Sequence, residues 1–441
     1  MDRVALSGGG ALGSAPFREH ACFREVSVLN FFCRPERFGG LCALLIVSVL
    51  FASSAWASVP GEGPRAAAAR SVNAFALDVY RQLALAEKGD VFFSPYSIVS
   101  ALGMSYAGAR GETAAEMGRV LHAGEGFHAS LGALVREFDK SFAGVEGGPL
   151  LATANRVWVQ KGSDLRPEYA DLLSRDYGGE TARLDFEGDS KGARDAINAW
   201  VEERTRKRIR NLIQGLDPST KLVLTNAVYF RADWANPFDE GGTKPLPFHR
   251  GSEDPIDVPT MYQREHLLYA EADGLQLLRL PYSDDLSMLV VLPRDAEGME
   301  RLAGRLGEES GPELVEQWRK GLRLHDVEVW LPKFRLEKRY SLNELLVSLG
   351  MGRAFGPDAD FSGMLSEDVP LRIDQVVHQT FIELDERKTE AAAATAVVML
   401  RATMLPEKLS RVAFRADRPF LYFILDDRTG TILFMGRQTF R

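Results

Sequence analysis

The chain has 441 residues, 45% apolar, 26% charged and 10% aromatic, a globular composition that excludes a disordered, collagenous or polytopic membrane protein. Its 53 Lys+Arg against 61 Asp+Glu give a formal charge of −8, so the chain as a whole offers no electrostatic footprint for nucleic acid. All three cysteines, Cys22, Cys33 and Cys42, lie near the N-terminus, which excludes a disulfide scaffold, a Cys-ligated metal and a catalytic thiol from everything after them.

In chain order, the first recognisable element is an uncharged apolar run at 41–51 (LCALLIVSVLF), preceded by Arg34 and Arg37 and followed by Ala55-Trp56-Ala57. That is the layout of a secretory leader with cleavage before Ser58, and eleven residues are too few for a comfortable membrane span. The leader is therefore taken as residues 1–57, with an uncleaved N-terminal anchor and a start codon further downstream as the alternatives. The glycines Gly8, Gly10 and Gly13 form G-x-G-x-x-G, but no βαβ unit fits around them before the apolar run and no G-x-S-x-G follows, so a phosphate loop or a hydrolase is not indicated.

After a Pro/Gly/Ala-rich lead-in at 58–70, no linker, repeat or long charge block interrupts the chain, which predicts one large domain over 58–441. Helical spacing of Phe75, Val79 and Leu83, then of Ile98, Leu102 and Tyr106, predicts helices up to about Leu121, broken at Gly89 and Ser94-Pro95. From Ala152 onward strands alternate with helices. Strand-like runs stand at 152–160, 222–230, 275–282, 286–293 and 327–334, with an amphipathic helix at 196–204. A final hairpin pairs 420–426 with 431–436 through Asp427-Arg428-Thr429-Gly430. The class is α+β with large antiparallel sheets.

Searches for catalytic chemistry are unproductive. The histidines at 20, 122, 128, 249, 266, 325 and 378 form no H-E-x-x-H and no close pair, and there is no P-loop. A basic run, Arg204, Arg206, Lys207, Arg208 and Arg210, reads as a solvated face in preference to a polyanion cofactor site. No cofactor and no metal are implied.

The informative segment lies between the strand-like FIELDE (381–386) and the terminal hairpin. Residues 387–419 are unusually long for a connection inside a compact domain, and loops of that length carry function or are disordered. Thr389, Ala391, Ala393, Thr395 and Val397 alternate with Glu390, Ala392, Ala394 and Ala396, so small residues occupy both faces at period two, with no proline before Pro406. Such a segment could enter a sheet interior without clash; on composition alone an Ala-rich helix or a low-complexity tether ranks first.

Five ordered blocks decide between these. VFFSPYSIVSALGMSYAGARGETAAEM (91–117), NAVYFRADWANPF (226–238), 331–364, VVHQTFIELDERKTEAAAATAVV (376–398) and ADRPFLYFILDDRTGTILFMGR (416–437) resemble the serpin family in the family's own order. The resemblance implies a serpin fold of three β-sheets with eight to nine helices, and an exposed reactive-centre loop at about 386–415. It implies a monomeric suicide inhibitor of serine, or papain-like cysteine, endopeptidases rather than an enzyme, and the leader implies that it is secreted, to the extracellular space or the periplasm. The protease cuts the loop, and the freed segment enters the main sheet before the acyl-enzyme hydrolyses. Each ladder hydrogen bond gained is worth about 0.5–1.5 kcal/mol net, so some ten of them release on the order of 10 kcal/mol, and the uncut fold is metastable. The alternative is a non-inhibitory member, a carrier, chaperone or storage protein, cut as a plain substrate.

By the same resemblance, Glu386, Lys388, Thr389, Glu390, Ala391, Ala392, Ala393 and Ala394 form the hinge. Lys388 replaces the glycine usual in inhibitory members. Ser94, Ser97, Asn226 and His378 correspond to the polar cluster beneath the sheet where strands part, and Trp234 to the aromatic at its top. The family's spacing places the scissile bond at Ala402–Thr403, for an elastase-like protease; a count shorter by one gives Arg401–Ala402, for a trypsin-like one.

Overall fold

A computed structural model describes residues 63–142, 150–178, 181–295, 297–308, 310–367, 369–386 and 409–441. The leader with its three cysteines and the G-x-G-x-x-G, the hinge residues Lys388, Thr389, Glu390 and Ala391 to Ala394, and the bond candidates Arg401, Ala402 and Thr403 all lie outside the described residues.

Helix α1 (Pro64–Ala86) starts on a proline, buries Val72, Phe75, Val79 and Leu83 along one stripe, and stops before Gly89. A short strand β1 (Val91–Phe93) leads into α2 (Pro95–Gly108), whose N-cap Ser94 accepts a hydrogen bond from the Ser97 amide at 3.2 Å. Helix α2 is buried on nearly every side, which explains its weak amphipathicity. Then follow α3 (Gly111–Val120), α4 (Phe127–Phe142), β2 (Leu150–Gln160), α5 (Pro167–Tyr177), β3 (Thr181–Leu184), α6 (Ser190–Arg204) and β4 (Leu222–Arg231).

The second half contributes β5 (Lys244–Arg250), β6 (Glu253–Ala272), β7 (Leu275–Pro281), β8 (Leu286–Pro293), α7 (Gly298–Leu306), α8 (Gly311–Gly321), β9 (Arg323–Pro332), β10 (Phe334–Ser341) and α9 (Asn343–Ser348). It ends with β11 (Gln375–Leu384), β12 (Arg411–Arg415), β13 (Phe420–Asp426) and β14 (Ile432–Gln438). Among the described residues there are nine α-helices, and none is long and apolar enough to cross a membrane.

The strands form two hydrogen-bonded networks. One has nine strands, β1-β14-β13-β8-β7-β6-β9-β12 with β5 also on β6; the other has five, in the order β10-β11-β4-β2-β3. The twenty-residue β6 joins what would otherwise be two sheets: its first half pairs with β5 and its last residues with β7, while β9 runs along its middle. Counting its two halves separately gives three sheets.

Three sequence expectations change. The run at 327–334 is two strands, because the chain breaks at Lys333 between β9 and β10. FIELDE leaves the strand at Leu384. The β5–β6 hairpin was not expected at all: Pro245, Pro247, Pro255 and Pro259 argue against a strand, yet here they stand on a two-stranded ribbon at the sheet margin, where a missing N–H costs least.

The five-stranded sheet carries the site. Its central strand β4 is buried along almost its whole length, as expected for a strand covered on both faces, by α2 on one side and α6 on the other.

Candidate functional site

Strands β4 and β11 are neighbours and run parallel, paired from Val223↔Gln375 to Tyr229↔Phe381. Both continue past that last rung. Strand β11 keeps its outer partner β10 to Leu384↔Phe334, and β4 keeps β2 to Arg231↔Leu150. The seam between the two central strands is therefore unpaired at its upper end while both flanks stay closed.

Beneath the seam a row of polar side chains crosses four strands at one level, set by the registers Tyr340↔His378, His378↔Asn226 and Asn226↔Asn155. His378, Asn226 and Asn155 meet Ser94 and Ser97 at the start of α2, and Tyr340 meets β1. The Ser94 amide donates to His378 Nε2 at 3.0 Å, which leaves the proton on Nδ1, and Nδ1–H donates to Asn226 Oδ1. Asn226 Nδ2 in turn donates to the Ser97 carbonyl at 2.6 Å, to Ser97 Oγ at 2.7 Å and to Asn155 Oδ1 at 2.7 Å. Ser94 Oγ donates to the Leu433 carbonyl at 2.7 Å, and the Phe92 amide to the Tyr340 hydroxyl at 3.3 Å. Burial pushes the His378 pKa down to about 3, partly offset by its bond to Asn226, so the ring is neutral at physiological pH.

At the top of the seam two residues hold the point where β11 ends. Trp234 stacks on Tyr282, centroids 4.2 Å apart, and donates its indole N–H to the Asp385 carbonyl at 2.9 Å. The next residue, Glu386, is buried and ion-paired with Lys333 Nζ at 2.6 Å, while Thr243 Oγ1 donates to Glu386 Oε1. Burial opposes ionisation of Glu386, but the hydrogen bonds from Lys333 and Thr243 outweigh it and hold the carboxyl below its ordinary value.

The other end of the long loop is fixed elsewhere. Strand β12 pairs parallel with β9 in the nine-stranded sheet, from Arg411↔Asp326 to Arg415↔Trp330, and Asp326 accepts from both Arg264 (2.8 Å) and Arg411 (3.4 Å). A cut within the loop thus leaves its C-terminal part tied to one sheet and its N-terminal part leaving from the other.

Sequence reasoning singled out Ser94, Ser97, Asn226 and His378, and the fold brings them together, with Trp234 and Glu386 at the top. It missed Asn155, Tyr340, Thr243, Lys333 and Tyr282. Asn155 left a trace, an asparagine within the alternation of ATANRVWVQ, a residue type depleted in strands. Lys333 stands at the break between two strands and was absorbed into one. The basic run is largely engaged within the fold: Arg204 lies 5.6 Å from the Trp200 ring, Arg210 pairs with Glu202 at 3.2 Å, and Arg208 lies over two rings of the sheet. Among the described residues no three His, Cys, Asp or Glu side chains are grouped to hold a metal ion.

A family model described as serpin (serine protease inhibitor) matches residues 70–439. The chain belongs to the serpin family. A serpin-like protein of Thermococcus kodakarensis is 44% identical over 379 residues, 86% of each chain. The leukocyte elastase inhibitor of Sus scrofa is 39% identical over 373 residues, 82% of this chain and 96% of that one. Among solved structures, uncleaved ovalbumin superposes with a TM-score of 0.74 at 29% identity, over 86% of this serpin and all of ovalbumin. The fold expected from the serpin resemblance is the fold observed.

Proposed function

We propose that this serpin is a suicide inhibitor of serine endopeptidases and not an enzyme, working by insertion of its cleaved loop between β4 and β11. The observation that carries the reading is the seam. Two adjacent parallel central strands are unpaired at the end from which the loop departs, so a chain turning back after Glu386 would run between them antiparallel to both and add ladder bonds to each.

In this reading a protease serine attacks the carbonyl of Ala402, the Ala402–Thr403 peptide bond breaks with Thr403 leaving as the free amine, and an ester joins the protease to Ala402. Residues from Thr389 to Ala402 then enter the seam as a sixth strand of the five-stranded sheet, carrying the ester-linked protease with them. The small residues at 391–394 suit rapid passage between packed strands. Similarity to leukocyte elastase inhibitors and the small side chain of Ala402 both favour an elastase-like protease. The apolar run at 41–51 and the A-x-A triplet at 55–57 support export.

The test is incubation with pancreatic elastase and, separately, trypsin, followed by a denaturing gel and intact mass of all products. A denaturant-stable adduct of summed mass with a released C-terminal peptide beginning at Thr403 supports the proposal; a peptide beginning at Ala402 moves the bond to Arg401–Ala402. Clean cleavage by both enzymes with no adduct and no gain in thermal stability overturns it in favour of a plain substrate, and the mass of the secreted chain shows whether it begins at Ser58.

A further inference from the structure

On the sheet face away from α2, the connection between α6 and β4 runs across the seam and is fastened on both sides of it. Ile209, Leu212 and Ile213 share one buried cluster with Val223 and Ala227 of β4 and Val377 of β11. Arg339 of β10 donates Nε–H to the Leu212 carbonyl at 3.1 Å, and the Asn198 carboxamide of α6 holds Ile213 by two bonds of 2.8 Å.

The same connection delivers Arg208 to the last closed rung of the seam. Thr205 is buried at the end of α6, and Arg206 and Lys207 follow with φ of 50° and 61°, the left-handed region that non-glycine residues adopt at a cost. That reversal places the Arg208 guanidinium 5.7 Å from the ring of Tyr229 on β4 and 5.7 Å from the ring of Phe381 on β11, register partners whose rings are 5.7 Å apart. Arg335 of β10 lies 4.9 Å from the same Phe381 ring. Among the described residues no carboxylate pairs with Arg208, so the two rings are its partners.

We propose that Arg208 is an outer staple of the seam, a positioning residue whose guanidinium spans Tyr229 and Phe381 and resists the parting of β4 and β11. A new strand adds one inter-strand spacing of about 4.8 Å between the two rings. With the rings then about 10.5 Å apart, a guanidinium with a reach of about 6 Å touches both only from midway between them, where the new strand lies, so Arg208 gives up one ring when the strand enters. His378 and Asn226 latch the seam from within, and Arg208 closes it from without. That the staple governs loop insertion rests on the function proposed above; that it holds the seam shut does not.

The test is hydrogen exchange on the intact, uncleaved chain as wild type, Arg208→Gln and Arg208→Lys. Loss of the cation should speed exchange about two- to fivefold at the amides of Val223–Tyr229 and Gln375–Phe381, leaving β13 and β14 unchanged. Arg208→Lys, which keeps a cation, should fall between. Wild-type rates in Arg208→Gln, or an increase spread evenly over both sheets, overturns the staple. A protease adduct assay on the wild type is run alongside: absence of an adduct sinks the inhibitory reading while the exchange data still decide the role of Arg208.

Discussion

His378 and Asn226 face each other across the seam between β11 and β4, and the histidine Nδ1–H donates to the asparagine Oδ1. Because Nε2 of the same ring accepts the Ser94 amide, protonation of His378 destroys one of its two bonds. Parting the strands destroys the other.

The first prediction concerns pH. The pKa of His378 is about 3 when folded, depressed chiefly by burial, against an ordinary 6.5. Between those values the unfolded chain binds a proton that the folded one does not, so this contribution to stability is complete above about pH 6.5 and is lost progressively as pH falls toward 3. His128 is depressed to about 4 and acts in the same direction, but it is common to wild type and variant. Urea unfolding at pH 7.5, 5.5 and 4.5 should show wild type losing about 1.4 kcal/mol more per pH unit than His378→Gln in the acidic range. Parallel losses would contradict a neutral, load-carrying histidine.

The second concerns the top of the seam. Glu386→Ala leaves Lys333 and Thr243 without their acceptor and frees the start of the loop. A cost of about 1–2 kcal/mol is expected, since Lys333 is partly exposed and water replaces some of what is lost. An opened seam is also a template for another molecule's loop. Native gels after graded warming should show self-association starting at a lower temperature in Glu386→Ala, with part of the loss recovered in Glu386→Ala/Lys333→Ala. Identical onset in wild type and both variants would remove this pair from control of the seam.

The third concerns the hinge. In the proposed mechanism the chain turns into the sheet at position 388, and lysine has less backbone freedom there than glycine. Lys388→Gly should lower the number of inhibitor molecules consumed per protease molecule trapped, and Thr389→Arg should raise it by placing a charge on the strand that the proposed insertion buries. Titration of residual protease activity measures both. No change in either variant would mean that insertion does not limit trapping.

The fourth concerns Lys207, held at φ 61°. Lys207→Gly removes the steric cost of that conformation and should stabilise the uncleaved chain by about 1 kcal/mol in urea. A lower midpoint would show that the lysine side chain contributes more than its backbone costs.

Much of the fold was legible because each signal was local. The Ser94-Pro95 turn announces its own helix start, with the cap and the N1 proline both present. The apolar run 222–230 announces a central strand, and Asp427-Arg428-Thr429-Gly430 a hairpin turn, whose Gly430 has φ 74°. The β5–β6 hairpin was hidden because its prolines carry a local signal against strand that only a marginal position makes harmless. The candidate site was legible chiefly through family resemblance. Asn155 and Tyr340 differ from any other polar strand residues only by register, and register is a property of two strands.

The sequence by itself determined most of the helices and the central strands, the run of small residues at 391–394, the confinement of all three cysteines to the first 42 positions, and the blocks that resemble the family. Those follow from residue type and near-neighbour spacing, which a chain carries whether folded or not. Only the tertiary structure decided that β4 and β11 lie side by side and parallel, that their pairing ends at Tyr229 and Phe381, that His378 and Asn226 meet across them on one face, and that Arg208 spans them on the other. Asn226 and His378 are 152 positions apart in the chain. Their contact exists because α2 and α6 bury the two faces of one sheet and leave a single register in which the polar row is satisfied.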